Sequence, residues 1–147
     1  WAWLEYQLVI ETFSNSNNVE KLEKAITILT RTVEKDTNFS HINEVLLYKI
    51  IVNESSKSFL TKEVDNDNKE GYFQVYKRLV TRLQEMILNI NPEYKFALSL
   101  ASTIIEGSLH QHFLNSHFPS ITNCDNHKSP TKFFLHLVFH TLNKNND

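Results

Sequence analysis

The residues that punctuate a chain are nearly missing here. Of 147 residues, two are glycine and three are proline, too few for the turns and corners of a β-rich fold, so the composition points to helices. Cysteine occurs once, as Cys124, which excludes an internal disulfide and suits a reducing, cytoplasmic setting. Neither sign of charge dominates. Fifteen Lys and Arg against 17 Asp and Glu leave a net charge of −2, so there is no basic footprint with which to grip nucleic acid unaided. No apolar run approaches the roughly 20 residues that span a bilayer, and no charged-then-apolar leader opens the sequence; no membrane partner is expected. What remains is 41% hydrophobic and 22% charged, an ordinary balance for one globular domain over residues 1–147 with a proper core.

The chain opens at Trp1, inside a helical pattern, and we expect further sequence upstream. Trp1, Leu4, Leu8 and Ile10 to Phe13 read as the end of one helix. Asn17 followed by Glu20 resembles a capping box and starts a second, whose Val19, Leu22, Ile26, Leu29 and Val33 form one apolar stripe. From Ile42 to Val52 the sequence is apolar almost all round, which predicts a helix buried on most sides. A short helix is expected around Phe59 and Leu60, then a polar link from Asp65 to Asn68. Asp67 with Glu70 repeats the capping pattern and predicts a helix carrying Tyr72, Tyr76, Leu79, Leu83, Met86 and Ile87 on one side, with Gly71 in its first turn. Asn91-Pro92-Glu93 has the form of a helix start, running to about Asn115. A loop from Ser116 to Ser129 precedes a last helix, Thr131 to Leu142. The sum is an all-α fold, an antiparallel bundle of six or seven helices.

Ser99, Thr103, Gly107 and Gln111 lie four residues apart, so small side chains line one row of the penultimate helix. Such a row lets another helix come close. It serves packing within the chain and self-contact across a twofold axis equally well. The last helix favours self-contact, because Phe133, Phe134, Leu137, Val138 and Phe139 cover more of its circumference than one neighbour can bury. The self-contacting face is therefore expected to comprise Ser99, Thr103, Gly107, His110 and Phe113 with Phe133, Leu137 and His140, giving a homodimer. Six of the seven histidines fall between His110 and His140. His136 and His140 share a helix face at a spacing that suits a metal ion, but no third ligand stands near them at such a spacing. The histidines are read as interfacial, packed on aromatics, and no metal or cofactor is expected.

Catalytic patterns are absent. There is no phosphate-cradling glycine loop, no nucleophile elbow and no pair of acids on one apolar face; Glu20, Glu70 and Glu93 sit where helix starts explain them. The run Asp65 to Asn68 lacks the glycine and the terminal glutamate of a calcium loop. An enzyme is not expected. Trp3, Tyr6, Tyr48, Tyr72, Phe73 and Tyr76 come from three helices and suit the wall of a mostly apolar pocket with a few polar handles.

The run NPEYKFALSLASTIIEGSLHQHF from Asn91 to Phe113, with VEKLEKAITILTRTVEK from Val19 to Lys35 and the terminal SPTKFFLHLVFHTL, resembles the C-terminal region of TetR/AcrR-family transcriptional regulators over nearly the whole chain. The resemblance implies an all-helical domain that dimerises through its last two long helices, which form a four-helix bundle with those of the partner. It implies a pocket for a small-molecule effector among the preceding helices, near Tyr6, Tyr48 and Tyr76. It also implies a repressor that meets operator DNA only through an N-terminal helix-turn-helix head, which this sequence lacks. The residues leave a second class open, a helical interaction or small-molecule carrier module unrelated to transcription.

Overall fold

A computed structural model describes residues 1–32, 43–124 and 130–143. Among them the chain forms seven α-helices and no strand: α1 (Ala2–Thr12), α2 (Asn18–Thr30), α3 (Glu44–Phe59), α4 (Val64–Lys69), α5 (Gln74–Leu88), α6 (Ala97–His117) and α7 (Thr131–Asn143), with a short 3-10 turn at Pro119–Ile121. Val33, Lys35, Ile42 and Ser129, named above, lie outside the described residues, as do residues 144–147.

Local chemistry accounts for most boundaries. The Asn17 side chain accepts hydrogen bonds from the amides of Val19, at 2.9 Å, and Glu20, at 3.4 Å, satisfying donors that the first turn of α2 leaves open. Leu22, Ile26 and Leu29 then face inward together, with Ala25 beside them, whereas Val19, expected in the same stripe, is exposed. On α5 the buried Leu79, Val80, Leu83, Met86 and Ile87 oppose the exposed Lys77, Arg78 and Arg82.

Several boundaries differ from expectation. Asp65 to Asn68 is helical and belongs to α4, so Asp67 does not cap α5. Gly71 is not in the first turn of α5 but ends α4, at φ +90°. Its amide bonds the Asn68 carbonyl at 3.3 Å, and the Tyr72 amide bonds that of Asp67 at 3.1 Å. That pair of bonds is a Schellman ending, which requires the left-handed backbone that glycine adopts freely. Asn91-Pro92-Glu93 makes a turn, closed by the Tyr94 amide on the Asn91 carbonyl at 3.1 Å, and α6 begins only at Ala97. Proline at a first helical position and proline in a tight turn share one backbone angle, and here the turn prevails.

The core is built from α1, α2, α5, α6 and α7, around Leu8, Leu22, Ile26, Leu79, Leu83, Ile87, Ile104, Phe134 and Val138. The helix expected to be buried on most sides is not. α3 packs on α6, and none of its described side chains belongs to the core cluster; Leu46, Leu47 and Ile50 are 54%, 47% and 49% exposed. An all-round apolar helix states that its surface wants cover, not that its own chain supplies it. It also runs unbroken to Phe59, where a separate short helix was expected. Polar ties fix the outer helices. The Glu5 carboxylate of α1 receives both Nε and Nη2 of Arg78 at 2.9 Å and Nε of Arg82 at 3.4 Å, and Arg31 reaches Glu11 at 3.2 Å.

Candidate functional site

The last two helices meet through the glycine. A Cβ on Gly107 would stand 3.0 Å from Cζ and 3.3 Å from Cε1 of Phe134, and Phe134 is buried. The close approach that the small-residue row predicted is thus made within the chain, by α7 on α6. As a source of space Gly107 serves this internal contact, which corrects its assignment to the self-contacting face.

Immediately beside it, Ser108 and His112 turn inward, one helical turn apart. Ser108 Oγ donates to the Leu29 carbonyl at 3.4 Å, and His112 Nε2 lies 3.0 Å from the Thr30 carbonyl, to which it donates. These carbonyls belong to the last turn of α2, where no intrahelical donor remains. Thr30 Oγ1 lies 2.9 Å from Thr131 Oγ1 at the start of α7. One junction therefore joins α2, α6 and α7. Burial holds the His112 imidazole below its ordinary pKa, against the Thr30 bond, which raises it. The Tyr48 ring meets the His112 ring edge-on at 5.3 Å. His112 is thus an internal cap and not an interfacial histidine; sequence reading missed this role, and that of Ser108, because both partners are remote in the chain.

The outer side of α6 and α7 is different. Ser99, Thr103 and His110 are exposed along one face of α6, and Phe113 is half-buried beside His110 and His117, its ring 4.6 Å from that of His117. On α7 the buried residues are Phe134, Val138 and Leu142. Leu137 is half-buried, while Phe133, His136 and His140 face outward. The structure brings these side chains to one side of each helix, with His136 and His117 joining those that the sequence singled out.

The expected aromatic pocket is dispersed. Trp3 and Tyr6 stack on each other along α1, with ring centres 5.5 Å apart. Tyr76 packs edge-on against Trp1 at 5.0 Å and is hydrogen-bonded to Glu106; burial and that carboxylate raise its pKa. Burial likewise raises that of Tyr48. Tyr6 and Tyr72 are more than half exposed, and Phe73 precedes α5. Tyr48 and Tyr76 reach α6 beside His112 and Glu106, six residues apart and therefore about 120° apart around the helix.

Two clefts lie elsewhere. One of about 460 Å³ is lined by Gln111, Ile121, Thr122, Cys124, Pro130 and Phe133 among others; the Thr122 hydroxyl donates to Gln111 Oε1 at 2.6 Å on its wall. The other, of about 360 Å³, lies between α1, α2 and α5 at Leu8, Thr12, Lys21, Arg82 and Met86. None of the six expected pocket aromatics lines either cleft. Among the described residues no three His, Cys, Asp or Glu gather as a metal site, and no helix is long and apolar enough to cross a membrane. Comparison with protein-family models, curated proteins and solved structures finds no match to this chain.

Proposed function

We propose that this chain is the dimerisation and effector-sensing region of a transcriptional regulator of the TetR/AcrR kind, self-associating through the outer faces of α6 and α7. One observation carries the self-association. The 21 residues of α6 hold a single fixed charge, Glu106, and the 13 of α7 hold only Lys132. By contrast the 15 residues of α5 hold Lys77, Arg78, Arg82 and Glu85. In a twofold contact each side chain comes near its own copy, so fixed charges repel themselves. The side chains of Ser99, Thr103, His110, Phe133, Leu137 and His140 bring no fixed charge to such a contact, Glu106 of α6 being hydrogen-bonded to Tyr76, and Phe133, 52% exposed, offers apolar surface to bury. Sedimentation at micromolar concentration tests it: a species of twice the 17.2 kDa chain mass is expected, and a monomer alone would overturn it.

The regulatory half rests on the sequence likeness. It requires a helix-turn-helix encoded before Trp1, and a different domain at that place would remove it. The effector expected is small and mostly apolar. A melting-temperature screen against amphiphiles tests this, since a ligand that binds only the folded state raises the midpoint by mass action. A second reading, a helical protein-interaction module with no tie to transcription, is favoured by the exposed Leu46, Leu47 and Ile50 of α3. Pull-down with α3 intact and with Leu47→Ser would separate the two.

A further inference from the structure

His136 and His140 stand one turn apart on the outer face of α7, both exposed. Their rings lie 5.5 Å apart, centre to centre, with 15° between the planes. Neutral imidazole is a ready ligand for zinc, copper and nickel. Two imidazoles sharing one tetrahedral Zn²⁺, each at about 2.0–2.1 Å, have ring centres about 5 Å apart. The observed spacing therefore needs rotation of the rings and no movement of the backbone. Within one chain the pair is half a site, because no third ligand gathers with it among the described residues.

The missing half has a source. Leu137, between the two histidines, is the middle residue of α7, Thr131–Asn143. When a short helix crosses its own copy near the midpoint, residues within a turn of that point meet their counterparts across the axis. We propose that His136 and His140, with the partner's His136 and the partner's His140, hold one divalent cation of the zinc class between two protomers. This rests on the self-association through α6 and α7 proposed above. Four neutral imidazoles complete a tetrahedral shell, and the cation links the two copies of α7.

Untagged protein, stripped with EDTA and then titrated with Zn²⁺ at neutral pH, tests this by calorimetry and native mass spectrometry. One Zn²⁺ per dimer is expected, with dimerisation strengthened about tenfold or more, the linkage expected when a ligand binds only the dimer. His136→Ala and His140→Ala should each abolish the effect, and His117→Ala, elsewhere on the outer side of α6, should not. A dimer in EDTA that ignores Zn²⁺ would overturn the metal site and leave the self-association standing. Zinc bound once per protomer with no change in association would overturn the shared site. A monomer under both conditions would overturn both.

Discussion

The ring edge of Phe134 occupies the space that a side chain on Gly107 would need, 3.0 Å from the position of its Cβ. Alanine would favour the helix by about 1 kcal/mol, whereas forcing a methyl against a buried ring costs about 1–3 kcal/mol. Phe134 is buried among Ile104, Val138 and the rest of the core and has little room to yield. Gly107→Ala should therefore lower stability by about 1 kcal/mol, a melting shift of about 2–4 °C. Phe134→Leu frees the space at its own cost. The double variant should be less destabilised than the two single changes added together, a coupling of about 0.5 kcal/mol or more. A Gly107→Ala protein that melts higher than the parent would sink this account.

His112 links the same region to pH. Its folded pKa lies below the ordinary value because burial penalises the cation, so the unfolded chain takes up a proton first as pH falls. The contribution of His112 is full above its unfolded pKa of about 6.5 and is lost progressively as pH drops from there toward the folded value. Glutamine places a neutral N–H near the position of Nε2 and can keep the bond to the Thr30 carbonyl. His112→Gln should show a shallower loss of stability than the parent on going from neutral to mildly acid pH, measured by urea melts. Parallel pH profiles for the two proteins would refute the assignment. His112→Ala, which leaves the Thr30 carbonyl without this donor, should be less stable by about 1–3 kcal/mol at neutral pH, a difference that narrows as pH falls.

The parts that the sequence made legible were those decided by neighbours three or four residues apart. The Asn17 cap, the α2 and α5 stripes and the span of α7 are such features, and the all-helical fold followed from them. Gly71 and Pro92 were misplaced because each residue suits two local roles, and the contacts that choose between them lie outside the local pattern. The exposure of α3 was illegible for another reason: a helix apolar on every side looks the same whether its cover is intramolecular or not. At the site, the outward face of α6 and α7 could be read from spacing. The capping of Leu29 and Thr30 by Ser108 and His112 spans 79 and 82 residues, and no periodicity within a helix can announce it. The six aromatics illustrate the converse error. Residue type suggested a common wall, but type says nothing about which side of which helix a ring leaves from.

The Glu5 carboxylate, held below the usual range first by its hydrogen bonds to Arg78, ties α1 to α5. The two arginines are about half exposed, so solvent weakens the attraction. Glu5→Gln should cost only about 0.2–1 kcal/mol near neutral pH. The difference should shrink in high salt. It should also shrink as pH falls below about 4.3, where the unfolded carboxylate begins to protonate. Equal stability of the two proteins at low salt and neutral pH would show that the pair is geometrically present and energetically idle.

Thr103 offers the cleanest probe of self-association. It is exposed on α6, so Thr103→Asp should leave the melting of an isolated protomer within about 0.5 kcal/mol. In a twofold contact the change sets two carboxylates near one another on a face whose fixed charges are otherwise Glu106, hydrogen-bonded to Tyr76, and Lys132. Each pair of like charges a few ångströms apart near a protein surface costs on the order of 1–4 kcal/mol. The dimer should accordingly weaken by about tenfold or more, and added salt should recover part of the loss. Lys24→Asp, at an exposed position of α2 outside the proposed face, introduces the same side chain and should leave association unchanged. Equal weakening by both substitutions would point to a general effect of charge. No weakening by Thr103→Asp would place the contact on another face, and the exposed side of α3 would be the next surface to test.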